Sequence, residues 1–312
     1  MIASALRSAG PARRVRGAAR VQTLTAACDP VTPGLPGPGV THNGDMTQPV
    51  LKTRTLVTDD GVPIDAMHLP GDTDLAIVLA HGFTLSWQHG AVWKVAKRLN
   101  RTAGVIAFDF RGHGRSGGLS TLGDRETRDL AVAVAYAREL GYRRIVTVGF
   151  SMGASIVVRH AALVGGVDAA ISVSGPGRWY YRGTYPMRRV HWAVEHRLGR
   201  LVTRKWLNTR ISNGRWNPVP MPPAEAAARI APIPLLVVHG DKDPYFPVEH
   251  AQQLYRAARE PKELWVVPGF GHAESGSDDA LVDRIAAWAD ETTAGRAPAD
   301  GGDTQEERAG AA

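Results

Sequence analysis

Short apolar runs alternate with helical patterns over residues 51–289, and few architectures accommodate such a sequence. This alternation is typical of strand–helix–strand units, whose parallel strands form one sheet with helices on both faces. Several runs are apolar throughout, as expected for strands that are buried on both sides. We therefore predict an α/β fold with a mostly parallel, doubly wound sheet.

Two of the runs flank Asp59-Asp60-Gly61, a combination that favours a tight turn, so the sheet should open with a hairpin. Glycines follow two helical patterns, at Gly141 and at Gly165-Gly166, and glycine commonly ends helices. The predicted strands are Leu51–Val57, Val62–Leu69, Leu75–Ala80, Val105–Phe108, Ile145–Val148, Ala169–Val173, Leu235–His239 and Glu263–Val267. The predicted helices are Trp87–Leu99, Gly123–Leu140, Ser151–Val164, Val248–Ala258 and Ala280–Ala289.

Residues 176–230 interrupt the alternation with an insert that is rich in arginine, tryptophan and tyrosine. Ten basic residues lie between Arg178 and Arg215, where the only acidic residue is Glu195. We predict a short, mostly helical cap over the strand ends, with aromatic side chains around a pocket for a hydrophobic acyl substrate. The positive charge also suits peripheral contact with a membrane surface. The alternative is a solvated basic face whose aromatic residues pack on the core.

The two ends of the chain have a composition typical of segments that lack a packed core. Residues 1–48 are rich in Ala, Gly, Pro and Arg, and residues 292–312 are rich in small and acidic residues. We therefore predict a disordered extension and a disordered tail on either side of a domain at 49–291. Met46 is an alternative start of the protein. Arginines interrupt the N-terminal segment, which lacks the apolar run of a signal peptide.

The charge and the cysteine content of the chain indicate which compartment and which partners to expect. Cys28 is the single cysteine, which excludes an intramolecular disulfide and favours a reducing compartment, so we predict a cytoplasmic location. The formal net charge of +7 suits anionic partners, but no nucleic-acid-binding module is recognisable and we expect no nucleic-acid partner. No run approaches the ~20 apolar residues of a membrane-spanning helix.

The segment Gly149-Phe150-Ser151-Met152-Gly153 joins a predicted strand directly to a predicted helix. This is the context that a G-x-S-x-G nucleophile motif requires, because the chain must turn sharply at the serine. Small residues on both sides leave room for that turn, and the hydroxyl then projects above the end of the sheet. The start of the next helix adds free N–H groups and the positive end of a dipole. Ser151 is therefore the candidate nucleophile.

With these residues the sequence resembles the α/β-hydrolase superfamily, in its branch of serine esterases, lipases and S33-type peptidases. The resemblance extends from about residue 50 to residue 291. The order of serine, then aspartate, then histidine along the chain matches this superfamily. Four further segments carry the resemblance: His81-Gly82-Phe83, Asp109-Phe110-Arg111-Gly112-His113-Gly114-Arg115-Ser116, His239-Gly240-Asp241-Lys242-Asp243 and Gly271-His272.

A serine hydroxyl needs a base to accept its proton and a carboxylate to orient that base. His272 is the candidate base, because it follows the last predicted strand through a glycine-rich turn. The resemblance implies Asp243 as the acid, with Asp241 as the alternative. Asp124 and Asp129 are weaker candidates, because some relatives take the acid from an earlier strand.

Backbone N–H groups stabilise the oxyanion in acyl transfer, and the resemblance places them at Phe83 and Met152. We predict hydrolysis of a carboxylic ester through an acyl-enzyme, with no metal and no organic cofactor. The same triad would serve an S33-type aminopeptidase or an acyltransferase. A ligand-binding member of the fold without enzymatic activity is a further alternative, which the filled triad positions weaken.

Overall fold

The computed structural model describes residues 51–295. The predicted extension at 1–48, with Cys28 and Met46, and residues 296–312 of the predicted tail lie outside the described residues. The strands are β1 Lys52–Val57, β2 Pro63–Leu69, β3 Leu75–Ala80, β4 Gly104–Phe108, β5 Arg144–Phe150, β6 Ala169–Val173, β7 Leu235–Gly240 and β8 Lys262–Val267. The helices are α1 Gly90–Leu99, α2 Glu126–Glu139, α3 Met152–Leu163, α4 Tyr185–Glu195, α5 Arg197–Trp206, α6 Pro223–Ala227, α7 Glu249–Ala257, α8 Ala273–Gly276 and α9 Asp279–Thr293.

The strands form one sheet of eight, in the order β1-β2-β4-β3-β5-β6-β7-β8. Strand β2 is antiparallel to both of its neighbours, and the pairs from β4 through β8 are all parallel. The predicted α/β fold with a mostly parallel sheet is therefore confirmed, as is the opening hairpin. Parallel strands end at the same edge, so the loops after β3, β5, β6, β7 and β8 lie side by side.

Two hydrophobic layers cover the two faces of the sheet. All six residues of β3 are buried, and they alternate between the layers, with Val78 in one and Ile77 in the other. Helices α2, α3 and α7 supply apolar residues to the Val78 layer, and α1 and α9 supply them to the Ile77 layer. The sheet is thus doubly wound, which is why the central runs contain no alternating polar residues.

Two helices begin later than the sequence pattern predicts, because side chains bind the backbone ahead of them. Helix α1 begins at Gly90 rather than Trp87, since the Trp87 N–H is bound by the Asp109 carboxylate at 2.7 Å. Helix α2 begins at Glu126 rather than Gly123. The buried Glu126 carboxylate accepts hydrogen bonds from the Gly123 N–H and from the two N–H groups before it, which holds that segment outside the helix.

The last helix ends later than the sequence pattern predicts. Helix α9 continues to Thr293, so the predicted tail cannot begin at 292. The Thr293 side chain is buried and its hydroxyl donates to the Ala289 carbonyl oxygen at 2.8 Å. Arg144 Nη1 also contacts the Thr293 hydroxyl at 3.2 Å, which ties this end of the helix to β5.

The insert between β6 and β7 contains α4, α5 and α6. Helices α4 and α5 pack on each other. Ala226 and Ala227 of α6 instead belong to the hydrophobic layer that also contains residues of α3. The segment that lies outside the core therefore ends before Pro223, not at about 230 as the composition suggested. The chain after α5 pairs with the loop that follows β4, through backbone bridges at Thr209 and Ile211.

Candidate active site

Ser151 occupies the sharp bend between β5 and α3, with φ of 52° and ψ of −108°. These angles are strained for a residue with a side chain, and close packing is needed to maintain them. A Cβ on Gly149 would lie 2.3 Å from the Gly153 carbonyl oxygen, and a Cβ on Gly153 would lie 2.2 Å from the Ala80 carbonyl oxygen. Glycine is therefore required on both sides, and the bend holds the Ser151 hydroxyl at the carboxyl edge of the sheet.

Ser151, His272 and Asp243 form a continuous chain of hydrogen bonds. His272 Nε2 lies 3.0 Å from Ser151 Oγ, and His272 Nδ1 lies 2.7 Å from Asp243 Oδ2. Because the carboxylate accepts hydrogen bonds, it places the hydrogen of the neutral ring on Nδ1 and leaves the lone pair of Nε2 facing the hydroxyl. Three residues that are far apart in the sequence are thus brought together at one edge of the sheet.

The Asp243 carboxylate is fixed from behind by the backbone of its own loop. Its Oδ1 accepts hydrogen bonds from the Tyr245 N–H at 2.8 Å and from the Phe246 N–H at 3.0 Å, and the side chain is fully buried. His239 lies nearby but donates from Nε2 to the Phe246 carbonyl oxygen at 2.8 Å. Only Oδ2 therefore remains directed at the ring of His272.

The loops after β7 and β8 are packed tightly enough to fix the direction of His272. A Cβ on Gly240 would lie 2.1 Å from the Phe270 carbonyl oxygen, so the two loops touch backbone to backbone. The Ala273 N–H then donates to Ser174 Oγ at 3.1 Å, which ties the residue after His272 to the loop that follows β6.

The other candidate carboxylates do not contact His272 among the described hydrogen bonds. Asp241 is exposed and accepts a hydrogen bond from the Gly269 N–H at 2.7 Å, so it braces the turn ahead of the histidine. Asp129 is buried and accepts from Arg111 Nε at 2.8 Å. Asp124 lies in the loop ahead of α2. Of the four aspartates that the sequence offered, Asp243 is the one whose carboxylate contacts His272 Nδ1.

Two of the other histidines, His81 and His191, have structural contacts. His81 Nδ1 lies 2.8 Å from the Gly82 carbonyl oxygen, and His81 Nε2 accepts a hydrogen bond from the Phe110 N–H at 3.1 Å. Burial lowers the pKa of His81 to about 3, so its ring is neutral and holds two loops together. In the insert, His191 Nδ1 contacts the Glu195 carboxylate at 2.8 Å.

The two predicted oxyanion donors belong to segments that adjoin Ser151. Met152 is the first residue of α3, and the first N–H groups of a helix have no carbonyl partner within it. Phe83 follows Gly82, where an added Cβ would lie 3.5 Å from the Cβ of Ser151. The loop after β3 therefore runs directly beside the serine, as the register of β3 with β5 requires.

Glu274 is a polar residue of this site that the sequence patterns did not indicate. Its carboxylate is buried and accepts a hydrogen bond from the Gly82 N–H at 2.7 Å. Burial raises the pKa of this carboxyl. The only available signal was an acidic residue two positions after His272, and no spacing rule connects such a residue to a loop 192 residues earlier.

The insert contacts the loop that follows Asp243 through Thr184 and Tyr181. Thr184, the residue that caps α4, donates from its hydroxyl to the Tyr245 carbonyl oxygen at 2.8 Å. The Tyr245 ring lies 4.4 Å from the His272 ring between centroids, and the Tyr181 ring lies 6.2 Å from Phe246. The hydrogen-bonded chain is thus bordered by apolar aromatic surface, which suits an acyl group.

A strained bend at Ser151, a hydrogen-bonded Ser-His-Asp chain and an eight-stranded sheet define a class of protein, and the comparisons with known proteins agree. The model of the alpha/beta hydrolase family matches residues 77–288, and the chain belongs to that family. The resemblance seen in the sequence is thereby confirmed.

Three known proteins are similar to most of this chain. The monoacylglycerol lipase of Mycolicibacterium smegmatis is 32% identical, with 70% of this chain and 89% of the relative covered. The uncharacterized protein YfhR of Escherichia coli O157:H7 is 25% identical, with 70% of this chain and 72% of the relative covered. The esterase Pf2001 of Pyrococcus furiosus shares the fold, with a TM-score of 0.64 at 23% identity over 82% of this chain and 97% of that chain.

Between residues 51 and 295, none of the helices has both the length and the apolar character that crossing a bilayer demands.

Proposed function

We propose that this protein hydrolyses carboxylic esters, with Ser151 as nucleophile, His272 as general base and acid, and Asp243 as the carboxylate that orients the histidine. The observation that carries the proposal is the chain of 3.0 Å and 2.7 Å contacts through the two nitrogens of one imidazole. Such a chain lets the base accept a proton on Nε2 while the carboxylate stabilises the imidazolium that forms.

The first half of the reaction acylates the serine. Ser151 Oγ bonds to the acyl carbon as its proton passes to His272 Nε2, and a tetrahedral oxyanion forms. The bond from carbon to the alcohol oxygen then breaks, and the imidazolium returns its proton to the leaving alcohol. The second half repeats these steps with water: His272 takes a proton from the water, the oxygen adds to the acyl carbon, and the free acid leaves as Ser151 regains its proton.

The N–H groups of Phe83 and Met152 are the proposed partners of the oxyanion. One follows the nucleophile and the other belongs to the loop beside it, which is the arrangement that acyl transfer needs. Loss of one such donor raises the barrier by about 3 kcal/mol in comparable sites. Because both donors are backbone groups, their positions depend on Gly82, Gly153 and the contacts that hold them.

We propose an apolar acyl ester as the substrate class. The aromatic rings of Tyr245 and Phe246 lie 4.4 Å and 5.9 Å from the His272 ring, so the acyl carbon would be attacked beside apolar surface. The relation to a monoacylglycerol lipase supports an ester as the scissile group.

A spectrophotometric assay with p-nitrophenyl esters of increasing chain length tests the proposal. Wild-type protein should turn over these esters, and Ser151→Ala should abolish turnover. Ser155→Ala is the matched control, because Ser155 lies one turn further along α3, is buried, and has no part in the hydrogen-bonded chain. If Ser151→Ala keeps the activity, or if only peptides or acyl acceptors other than water are consumed, the ester-hydrolase proposal fails.

A further inference from the structure

Helix α5 directs its large apolar side chains to the solvent and its small residues to the protein. Leu198 and Leu201 are 62% and 56% exposed, whereas Gly199 and Thr203 are buried. This is the reverse of an ordinary surface helix, whose apolar side faces the core. Burial of the leucines therefore requires something outside residues 51–295 of this chain.

Helices α4 and α5 pack closely because small residues such as Gly199 lie at their contact. Rotation of α5 about its axis would place larger side chains there. A Cβ on Gly199 would lie 2.5 Å from the Trp192 carbonyl oxygen and 2.6 Å from Ala193 Cα. A larger residue at this position would push the helices apart. The contact thus fixes which side of α5 faces away from the protein, and the two leucines lie on that side.

Positive charge surrounds the exposed leucines. Arg197, Arg204 and Lys205 of the same helix are exposed. The Lys205 ammonium lies 5.4 Å from the ring centre of Trp206, which is itself 64% exposed at the end of the helix.

Glu195, the only acidic residue between Arg178 and Arg215, does not offset that charge. The Glu195 carboxylate is bound by Arg182 Nη2 at 2.5 Å and by His191 Nδ1 at 2.8 Å. The outward side of α5 is therefore both apolar and cationic.

We propose that the outward side of α5, formed by Leu198, Leu201, Lys205 and Trp206 with Arg197 and Arg204 beside them, is a docking surface for an anionic lipid bilayer. A helix that lies in the plane of a membrane interface combines a cationic surface with Leu and Trp side chains that enter the boundary of the acyl chains. Lys and Arg side chains near an anionic surface add to the binding through electrostatic attraction. Leu198, Leu201 and Trp206 are three large apolar side chains, each more than half exposed, on one short helix. Isolated exposed apolar residues need no partner, but a group of them marks an interaction site.

The position of α5 connects this surface to the active site. Helix α4, on which α5 packs, is capped by Thr184. The Thr184 hydroxyl donates to the Tyr245 carbonyl oxygen, and the Tyr245 ring lies 4.4 Å from the His272 ring between centroids. Docking through α5 therefore brings the edge of the sheet that carries Ser151 close to the bilayer, where apolar esters are concentrated. The docking itself requires no catalysis.

Vesicle co-sedimentation with the full chain tests this proposal. We expect wild-type protein to sediment with vesicles of equimolar phosphatidylcholine and phosphatidylglycerol, and to do so less with phosphatidylcholine alone or at high salt. The variant with Leu198→Ser and Leu201→Ser should lose about tenfold or more in vesicle partitioning, because the apolar area that enters the lipid is removed.

A control variant removes two exposed apolar side chains elsewhere on the protein. Leu163 and Val164 are 48% and 55% exposed at the end of α3, which runs back from Ser151 to the opposite edge of the sheet. The variant with Leu163→Ser and Val164→Ser should bind anionic vesicles as wild type does. All three proteins should share the same circular dichroism spectrum and the same activity on a water-soluble ester.

Three results would overturn the proposal. The first is that wild-type protein does not bind anionic vesicles. The second is that both double variants lose binding equally. The third is that wild-type protein is a dimer, which the variant with Leu198→Ser and Leu201→Ser converts to a monomer. The last result, read by light scattering, would assign the surface to a second copy of this chain. Sedimentation does not depend on turnover, so a failure of the ester-hydrolase proposal would remain distinguishable.

Discussion

Glu274 and Gly82 are joined by a 2.7 Å hydrogen bond from the Gly82 N–H to the buried carboxylate. This bond connects the loop that carries His272 to the loop that carries Phe83. One side chain thus fixes the distance between the proposed base and a proposed oxyanion donor. We interpret Glu274 as a positioning residue, since it touches a loop of the site and has no contact with Ser151 Oγ among the described hydrogen bonds.

Replacement of Glu274 separates a positioning role from a purely structural one. Glu274→Ala should lower kcat by about tenfold or more with little change in KM, because oxyanion contacts are made chiefly in the transition state. Glu274→Gln retains an acceptor for the Gly82 N–H and should restore most of kcat. Steady-state kinetics on a p-nitrophenyl ester measure both values. A lower melting temperature with unchanged kcat in Glu274→Ala would refute the positioning role.

Asp241 and Asp243 lie in one loop, so a substitution of each in turn tests which of them is the acid of the triad. Asp243→Asn should reduce kcat by roughly 10⁴-fold, because an amide at this position favours the wrong tautomer of His272. Asp241→Asn should retain activity within a few-fold, since Asp241 binds the Gly269 N–H and lies outside the hydrogen-bonded chain. Comparison of kcat for the two variants at one pH gives the answer. Similar losses in both, or a larger loss in Asp241→Asn, would contradict the assignment of Asp243.

His160 makes folding stability depend on pH. Burial lowers its pKa from 6.5 to about 4, and neither ring nitrogen has a hydrogen-bond partner among the described residues. Between those pH values the unfolded chain binds a proton that the folded protein excludes. The stability that this group contributes is therefore complete above pH 6.5 and is lost as the pH falls to about 4, with a change of about 3 kcal/mol.

The variant His160→Leu should remove this dependence. Urea unfolding of wild type and variant from pH 7 down to acid should give two curves that diverge, with wild type losing about 3 kcal/mol more by pH 4. His81 and His113 are also buried and neutral, so both proteins share their contribution and a remaining slope is expected. Parallel curves would show that His160 does not bind an extra proton on unfolding.

The sequence predicted the strands closely, because a strand that is buried on both faces leaves a continuous apolar run. Leu75–Ala80 and Ala169–Val173 were predicted with the bounds that the structure has. Helix starts were less accurate. Glu126 and Asp109 bind backbone N–H groups ahead of α2 and α1, and such contacts depend on residues that meet only in the fold. The end of α9 at Thr293 was missed for the same reason, since its contact with Arg144 is long-range.

The residues of the site also divide into those with a local signal in the sequence and those without one. The bend at Ser151 has a local cause, the required glycines at 149 and 153, and could be recognised from five residues. The choice of Asp243 over Asp241 depended on the family resemblance, and the structure places the Asp243 carboxylate beside His272. The role of Glu274 could not be predicted from the sequence. Its partner is the backbone N–H of Gly82, and a backbone N–H group is not specified by the type of residue that carries it.

Covalent labelling with a fluorophosphonate probe, followed by peptide mass spectrometry, tests the proposed nucleophile most directly. The oxygen of an activated serine bonds to the phosphorus of the probe as the P–F bond breaks and fluoride leaves, so the stable adduct records which hydroxyl is reactive. We predict one adduct per chain, on Ser151, with labelling much slower in His272→Gln and absent in Ser151→Ala. An adduct on another residue, or ester turnover by a protein that the probe does not modify, would contradict the assignment of Ser151.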